Sequence, residues 1–396
     1  MILAAATAHH TEMLLSLFLM FTAAKLMAEV FERIGQPAVV GEILAGVLIG
    51  PSVLAWVAPS EITDTIAEIG VVFLLFSVGL ETQPAALMRV GKLAALVAVL
   101  GVLAPLAGGF GLGRVWGLAH AQSLFLGTAM VATSVGITAR VLSSMNLLGL
   151  PTSRIVLGAA IIDDILGLLV LAVVSSMVAQ AVNYVEITST VAMALGFVGL
   201  LFFAGAPLLN RLVPKITKLR VGPPFFLVSI VLCLGLSVAA AYIGVAAIIG
   251  AFLAGVALAE ISESRHDLRE QTKGLTELLV PFFLVSIGMK VQLSVFTQPG
   301  ILLLTLLVTL VAVATKFVAC GLAVKSLGWR AAAQVGAGMV PRGEVGIVVA
   351  QIGVSLGVIQ SDLFGVVLFM SVATTLIAPP ALRALFAGSR NPDAPG

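Results

Sequence analysis

The chain has 396 residues, 60% of them apolar and only 10% charged, and its formal net charge is +2. A soluble domain cannot hide that much apolar surface, and near neutrality gives no bulk attraction to nucleic acid. Lipid is the expected solvent. The apolar stretches run about 20 residues each, enough for a helix to cross roughly 30 Å of hydrocarbon. None alternates in the manner of an outer-membrane barrel strand, so the expected fold is an all-α polytopic membrane protein.

In chain order, polar and Pro/Gly punctuation predicts 13 transmembrane helices at about 12–32, 36–57, 65–80, 93–113, 121–145, 153–181, 187–210, 223–242, 244–261, 275–289, 299–324, 331–357 and 362–386. The N-terminus lacks a basic region followed by a cleavage site, which makes the first stretch a retained span. Cys233 and Cys320 both fall inside spans, as small hydrophobes.

Sixteen of the 21 basic residues fall in loops after odd-numbered spans or in the C-terminal tail. Two (Arg114 and Lys290) fall on the opposite face, and three (Lys25, Lys316 and Arg342) lie within spans. Under the positive-inside rule the N-terminus is outside and the C-terminus cytoplasmic, as expected for a protein of a bacterial inner membrane.

Laid over itself with an offset of 209 residues, IGQPAVVGEILAGVLIG (34–50) meets IGVAAIIGAFLAGVALA (243–259) and FLLFSVGL (73–80) meets FFLVSIGM (282–289). With one more residue SVGI (134–137) meets EVGI (344–347). The matched spans stand seven apart, and an odd step makes the copies cross the membrane in opposite directions. Inverted-topology repeats of six helices are the mark of secondary transporters. The expected organisation is one membrane transport domain, with repeat one at about 12–181, a linker helix at about 187–210 and repeat two at about 223–386, and no soluble regulatory domain.

Ionisable groups within spans cost a few kcal/mol each and point to function. Asp163 and Asp164 are consecutive in span 6, about 100° apart around the helix, so one can face a cavity and the other a neighbouring helix. Lys316 in span 11 needs an internal acid, and Asp163 is the expected partner in a pair that titrates together. The matched segments ATSVGITARV (132–141) and GMVPRGEVGIVVA (338–350) carry the Thr, Ser, Gly and Pro that discontinuous helices need near the midplane. There the carbonyls and the hydroxyls of Thr133 and Ser134 can ligate a partly dehydrated cation, while Arg342 and Glu344 compensate the helix dipoles or each other. Lys25 and Glu29, four apart, are expected to pair locally, with Glu42 at the mouth of span 2.

With these residues in view, the chain resembles the monovalent cation/proton antiporters, and within them the NapA-like sodium/proton antiporters of bacteria. The resemblance covers nearly the whole length and rests on GEILAGVLIGPS (41–52), ATSVGITARV, the DDILGLLVLAVV stretch opening at Asp163, Lys316, and PRGEVGIVVA (341–350). It implies a homodimer in which spans 1–3 and 8–10 form a fixed interface, with spans 4–6 and 11–13 moving as a core around crossed broken helices. It also implies that Asp164 is the carboxylate that binds Na⁺, with Asp163 the partner of Lys316.

The expected function is exchange of Na⁺ (or Li⁺) for protons by alternating access, electrogenic, with no resident cofactor and no enzymatic chemistry. Potassium/proton exchange and sodium-coupled uptake of an organic anion are the alternatives on the same architecture. An intramembrane aspartyl protease needs its two acids on facing helices, whereas these are consecutive on one. A channel conflicts with inverted repeats around a closed site.

Overall fold

The computed structural model describes residues 2–82, 84–178, 184–216, 223–263, 266–291, 299–342 and 344–389. Its helices in chain order are α1 (Ile2–Arg33), α2 (Ala38–Ile49), α3 (Glu61–Leu80), α4 (Pro84–Trp116), α5 (His120–Val131), α6 (Val135–Ser144), α7 (Pro151–Val178), α8 (Tyr184–Ile216), α9 (Pro224–Tyr242), α10 (Ala247–Glu263), α11 (His266–Met289), α12 (Pro299–Ala323), α13 (Trp329–Gly338), α14 (Glu344–Ser355) and α15 (Ser361–Phe386). Nine described segments are long and apolar enough to cross a membrane, one of them the joined pair α5–α6. The other apolar helices are shorter: α2, α10, most of α14 and a stretch within α8. Short spans arise where a helix is broken or where glycine contacts cut it off, so apolar length alone overstates the number of full crossings.

Local chemistry sets the helix ends. α3 opens on a capping box, Ser60 with Thr63, and carries Glu61 and Asp64 in its first turn, where carboxylates meet the positive end of the helix dipole. α1 ends on Gly35 (φ 74°) and α9 on Gly244 (φ 85°), the left-handed geometry of a helix C-terminus. These two glycines are 209 residues apart, and the closing hydrogen bonds repeat as well. Gln36 N donates to Phe31 O at 2.8 Å, and Val245 N donates to Ala240 O at 2.9 Å.

The same offset governs packing. A Cβ on Gly46 of α2 would run into the carbonyl oxygen of Val285 in α11, and one on Gly288 into that of Ile43. Moved by 209 residues with the repeats exchanged, these become Gly255 against Phe76 O and Gly79 against Phe252 O, and both contacts are present. Only residues without a side chain allow helix backbones this close, so the glycines that align in the sequence are those that seat α2 on α11 and α3 on α10.

Two bundles result. In one, α3 packs on α10 and α11, α2 on α1 and α11, and α9 on α10. In the other, α4 packs on α5, α7 and α12, while α15 packs on α12, α13 and α14. The bundles meet along a seam where α6 touches α2 and α3. Pro105, Pro281, Pro379 and Pro380 lie inside helices, which membrane-embedded bundles tolerate because neighbours satisfy the freed backbone groups.

Candidate cation site at the crossed breaks

Two chain breaks form the centre of the second bundle. Between α5 and α6, residues Ala132 to Ser134 leave the helical path, with Ser134 extended at ψ 94°. Between α13 and α14 the chain opens at Pro341, which has no N–H to donate and biases the residue before it away from helix. The breaks are bonded to each other: Ser134 N donates to Pro341 O at 2.8 Å, and Thr138 Oγ1 donates to Gly338 O at 2.7 Å. Backbone groups freed in one break thus satisfy those of the other inside a buried core, where an unmet group costs about 1–3 kcal/mol.

Arg342 has no solvent exposure, and its guanidinium makes three hydrogen bonds. It donates to Met339 O at 3.1 Å and Val340 O at 2.8 Å, and to Ala312 O of α12 at 3.0 Å. A cation over the last carbonyls of α13 offsets the negative end of that half-helix. The expectation that Arg342 compensates a dipole therefore has a defined geometry, with carbonyls as its partners. Glu344 is the first residue of α14, and its side chain lies outside the described residues.

The two aspartates of α7 have different surroundings. Lys316 Nζ of α12 donates to Asp163 Oδ1 at 2.8 Å, and both side chains are 0% exposed. Space for the ammonium comes from Gly101 of α4, where a Cβ would stand 3.2 Å from Lys316 Nζ and 3.0 Å from Cys320 Sγ. Asp164 keeps 7% exposure and lines a cleft of about 230 Å³ at the seam, together with Leu75 of α3, Val135 of α6, Ile161, and Ile249 and Phe252 of α10. One helix therefore presents one carboxyl to a dry ion pair and the next to the boundary between bundles. Thr133 (3% exposed) and Ser134 (8%) sit at the break, and the Thr133 hydroxyl finds no hydrogen-bond partner among the described residues.

Two expectations are corrected. Lys25 does not pair with Glu29: its Nζ lies 3.9 Å from Glu42 Oε1, and Glu29 accepts from Arg33 Nε at 2.7 Å. The Glu29–Arg33 spacing places the acid N-terminal to the base at i,i+4, the favoured helix orientation, while packing of α2 on α1 brings Glu42 to Lys25. Glu42 is buried within α2 (1% exposed) and does not stand at its mouth.

Sequence reasoning missed Thr138, Gly101, Thr374 and Thr375. Thr374 Oγ1 accepts from Arg342 N at 3.1 Å, and Thr375 Oγ1 donates to Arg342 O at 2.6 Å. Two consecutive hydroxyls within an apolar span were the available signal.

The chain matches the family described as sodium/hydrogen exchanger, transmembrane, over residues 15–388. It is 36% identical to the high-affinity Na⁺/H⁺ antiporter NhaS3 of Synechocystis, covering 96% of this chain and 91% of that protein. It is 32% identical to the Na⁺/H⁺-K⁺ antiporter GerN of Bacillus cereus (95% and 96% covered) and 32% identical to a Na⁺/H⁺ antiporter of Enterococcus hirae (93% and 96%). Its fold resembles that of the sodium proton antiporter MjNhaP1 from Methanocaldococcus jannaschii, with a TM-score of 0.66 over 95% of this chain and 98% of that one at 19% identity. The chain belongs to the transmembrane sodium/hydrogen exchanger family.

Proposed function

We infer that this protein exchanges Na⁺ (or Li⁺) for protons across its membrane by alternating access. The observation that carries this reading is the split environment of the two aspartates: Asp163 is closed into an ion pair with Lys316, and Asp164 stands at the seam between two bundles. A carboxylate at a seam can accept a dehydrated cation or a proton, and burial keeps the two in competition. Carbonyls and the Thr133 hydroxyl at the neighbouring break are ligands of the hard-oxygen type that alkali cations take. Arrival of a cation at Asp164 places positive charge beside the Asp163–Lys316 pair and favours loss of a proton there.

Exchange of two protons for one cation moves net charge, so each 100 mV supplies about 2.3 kcal/mol per charge. Movement occurs at the seam: the bundle holding α4–α7 and α12–α15 shifts against the bundle holding α1–α3 and α9–α11, which also forms the homodimer contact. The protein resides in a bacterial inner membrane with its N-terminus outside. Repeat one spans about 12–181 and repeat two about 223–386. Potassium is the second reading, favoured by the 32% identity to a relative whose name includes K⁺.

The test is proton flux in proteoliposomes against Na⁺, Li⁺ and K⁺ gradients, with and without an imposed voltage. Wild-type protein moves protons with Na⁺ and responds to voltage, and Asp164→Asn moves none. Exchange at the wild-type rate by Asp164→Asn removes that carboxylate from the mechanism.

A further inference from the structure

The inverted repeats make a comparison available within one chain. Laying α15 on α7 with an offset of 211 sets Thr374 and Thr375 upon Asp163 and Asp164. In α4 and α12 the same offset sets Leu106 upon Phe317, whose carbonyls contact the matched glycines Gly127 and Gly336. Where repeat one places two carboxyls beside its break, repeat two places two hydroxyls beside its own.

Those hydroxyls are fully committed to one residue. Thr374 Oγ1 accepts the Arg342 amide at 3.1 Å and donates to Ser371 O at 3.0 Å, and Thr375 Oγ1 donates to the Arg342 carbonyl at 2.6 Å. Both threonines and Arg342 have no exposure. Each polar backbone group of Arg342 is therefore held by a side chain of α15. The held residue projects its guanidinium to Ala312 O, one helical turn before Lys316 on α12.

We propose that Thr374 and Thr375 are positioning residues for the exchange reaction: they clamp the backbone of Arg342 so that its guanidinium stays beside the Asp163–Lys316 pair and sets how readily that pair gives up its proton. The second break is thereby the rigid one, and ion-dependent adjustment falls to the first, around Thr133. Among the described residues, the charged and titratable groups around the pair are Arg342 on the break, Cys320 one turn along α12, and the pair itself; α4 contributes Gly101, which carries none. Releasing the clamp lets the guanidinium withdraw. Withdrawing a fixed positive charge lets nearby groups keep their protons to higher pH.

This inference rests on the exchange reading, and the experiment separates the two. Proton flux with a fixed Na⁺ gradient is measured from pH 5.5 to 9.5 for wild type, Thr375→Val, Thr375→Ser and Thr374→Val in proteoliposomes. Thermal unfolding of each protein in detergent is recorded with and without Na⁺ over the same range. Thr375→Val, near in volume but without the hydroxyl, is expected to half-activate about 0.5–1 pH unit higher, with a maximal rate within about twofold of wild type. The pH at which Na⁺ begins to stabilise the protein moves by the same amount.

Thr375→Ser restores the hydroxyl and the wild-type profile. Thr374→Val, which frees only the amide side, shifts in the same direction by less, and it decides the matter if Thr375→Val does not fold. A wild-type profile in whichever valine variant folds overturns the proposal, and so does a serine variant as displaced as the valine one. Absence of Na⁺-driven flux in the wild type instead overturns the exchange reading.

Discussion

Ser134 and Pro341, 207 residues apart in the chain, share a hydrogen bond of 2.8 Å across the two helix breaks, with the Ser134 amide donating to the Pro341 carbonyl. One break supplies a donor that its own helix cannot use, and the other supplies an acceptor. Neither break is independent. The crossing is therefore a single structural unit, and disturbing one side disturbs both.

Thr138→Val tests that unit from the side chain. The Thr138 hydroxyl donates to Gly338 O at 2.7 Å within a fully buried contact. Its loss leaves a buried carbonyl short of a partner, and the variant is expected to be about 1–3 kcal/mol less stable, visible as a lower midpoint of thermal unfolding in detergent. Thr138→Ser is expected to unfold with wild type. An unchanged midpoint for the valine variant refutes the coupling.

The Asp163–Lys316 pair makes a sharper energetic prediction. Both side chains are 0% exposed, so Lys316→Met alone leaves a carboxylate without compensation and costs about 3–5 kcal/mol. Combining it with Asp163→Asn removes the stranded charge and recovers most of that loss without recovering exchange. Unfolding midpoints of the single and double variants measure the coupling; simple additivity would contradict it.

Lys290 and Asp64 provide the contrasting case. They lie 3.3 Å apart at the ends of α11 and α3, with exposures of 37% and 40%. Water screens such a pair, so Lys290→Gln is expected to change stability by less than about 1 kcal/mol, an effect that shrinks as salt is added. A loss as large as that of Lys316→Met would mean the pair is far drier than its exposure implies.

Glycine contacts between the bundle helices can be checked with an internal control. Gly46→Val and Gly255→Val put side chains into the backbones of α11 and α3, and each is expected to cost at least about 1–3 kcal/mol by overpacking. Gly235 of α9 has open space where its Cβ would be, so Gly235→Ala is expected to fall within about 0.5 kcal/mol of wild type. Yield of folded protein after membrane extraction, together with the unfolding midpoint, reads the difference.

Much of this protein was legible before any coordinates. Lipid as solvent, the offset of 209 residues, the two breaks and the pairing of Lys316 with Asp163 all follow from charges and small residues set against an apolar background, where each exception is conspicuous. The tertiary structure decided which aspartate faces the seam, which carbonyls hold Arg342, and that Lys25 turns from Glu29 to Glu42. Hydroxyls show why. Thr305 and Thr309 satisfy themselves on the carbonyls of Ile301 and Thr305 one turn back in their own helix, whereas Thr375 reaches Arg342 in another segment. A threonine in an apolar span has both options open, and only the crossing of helices in space selects between them.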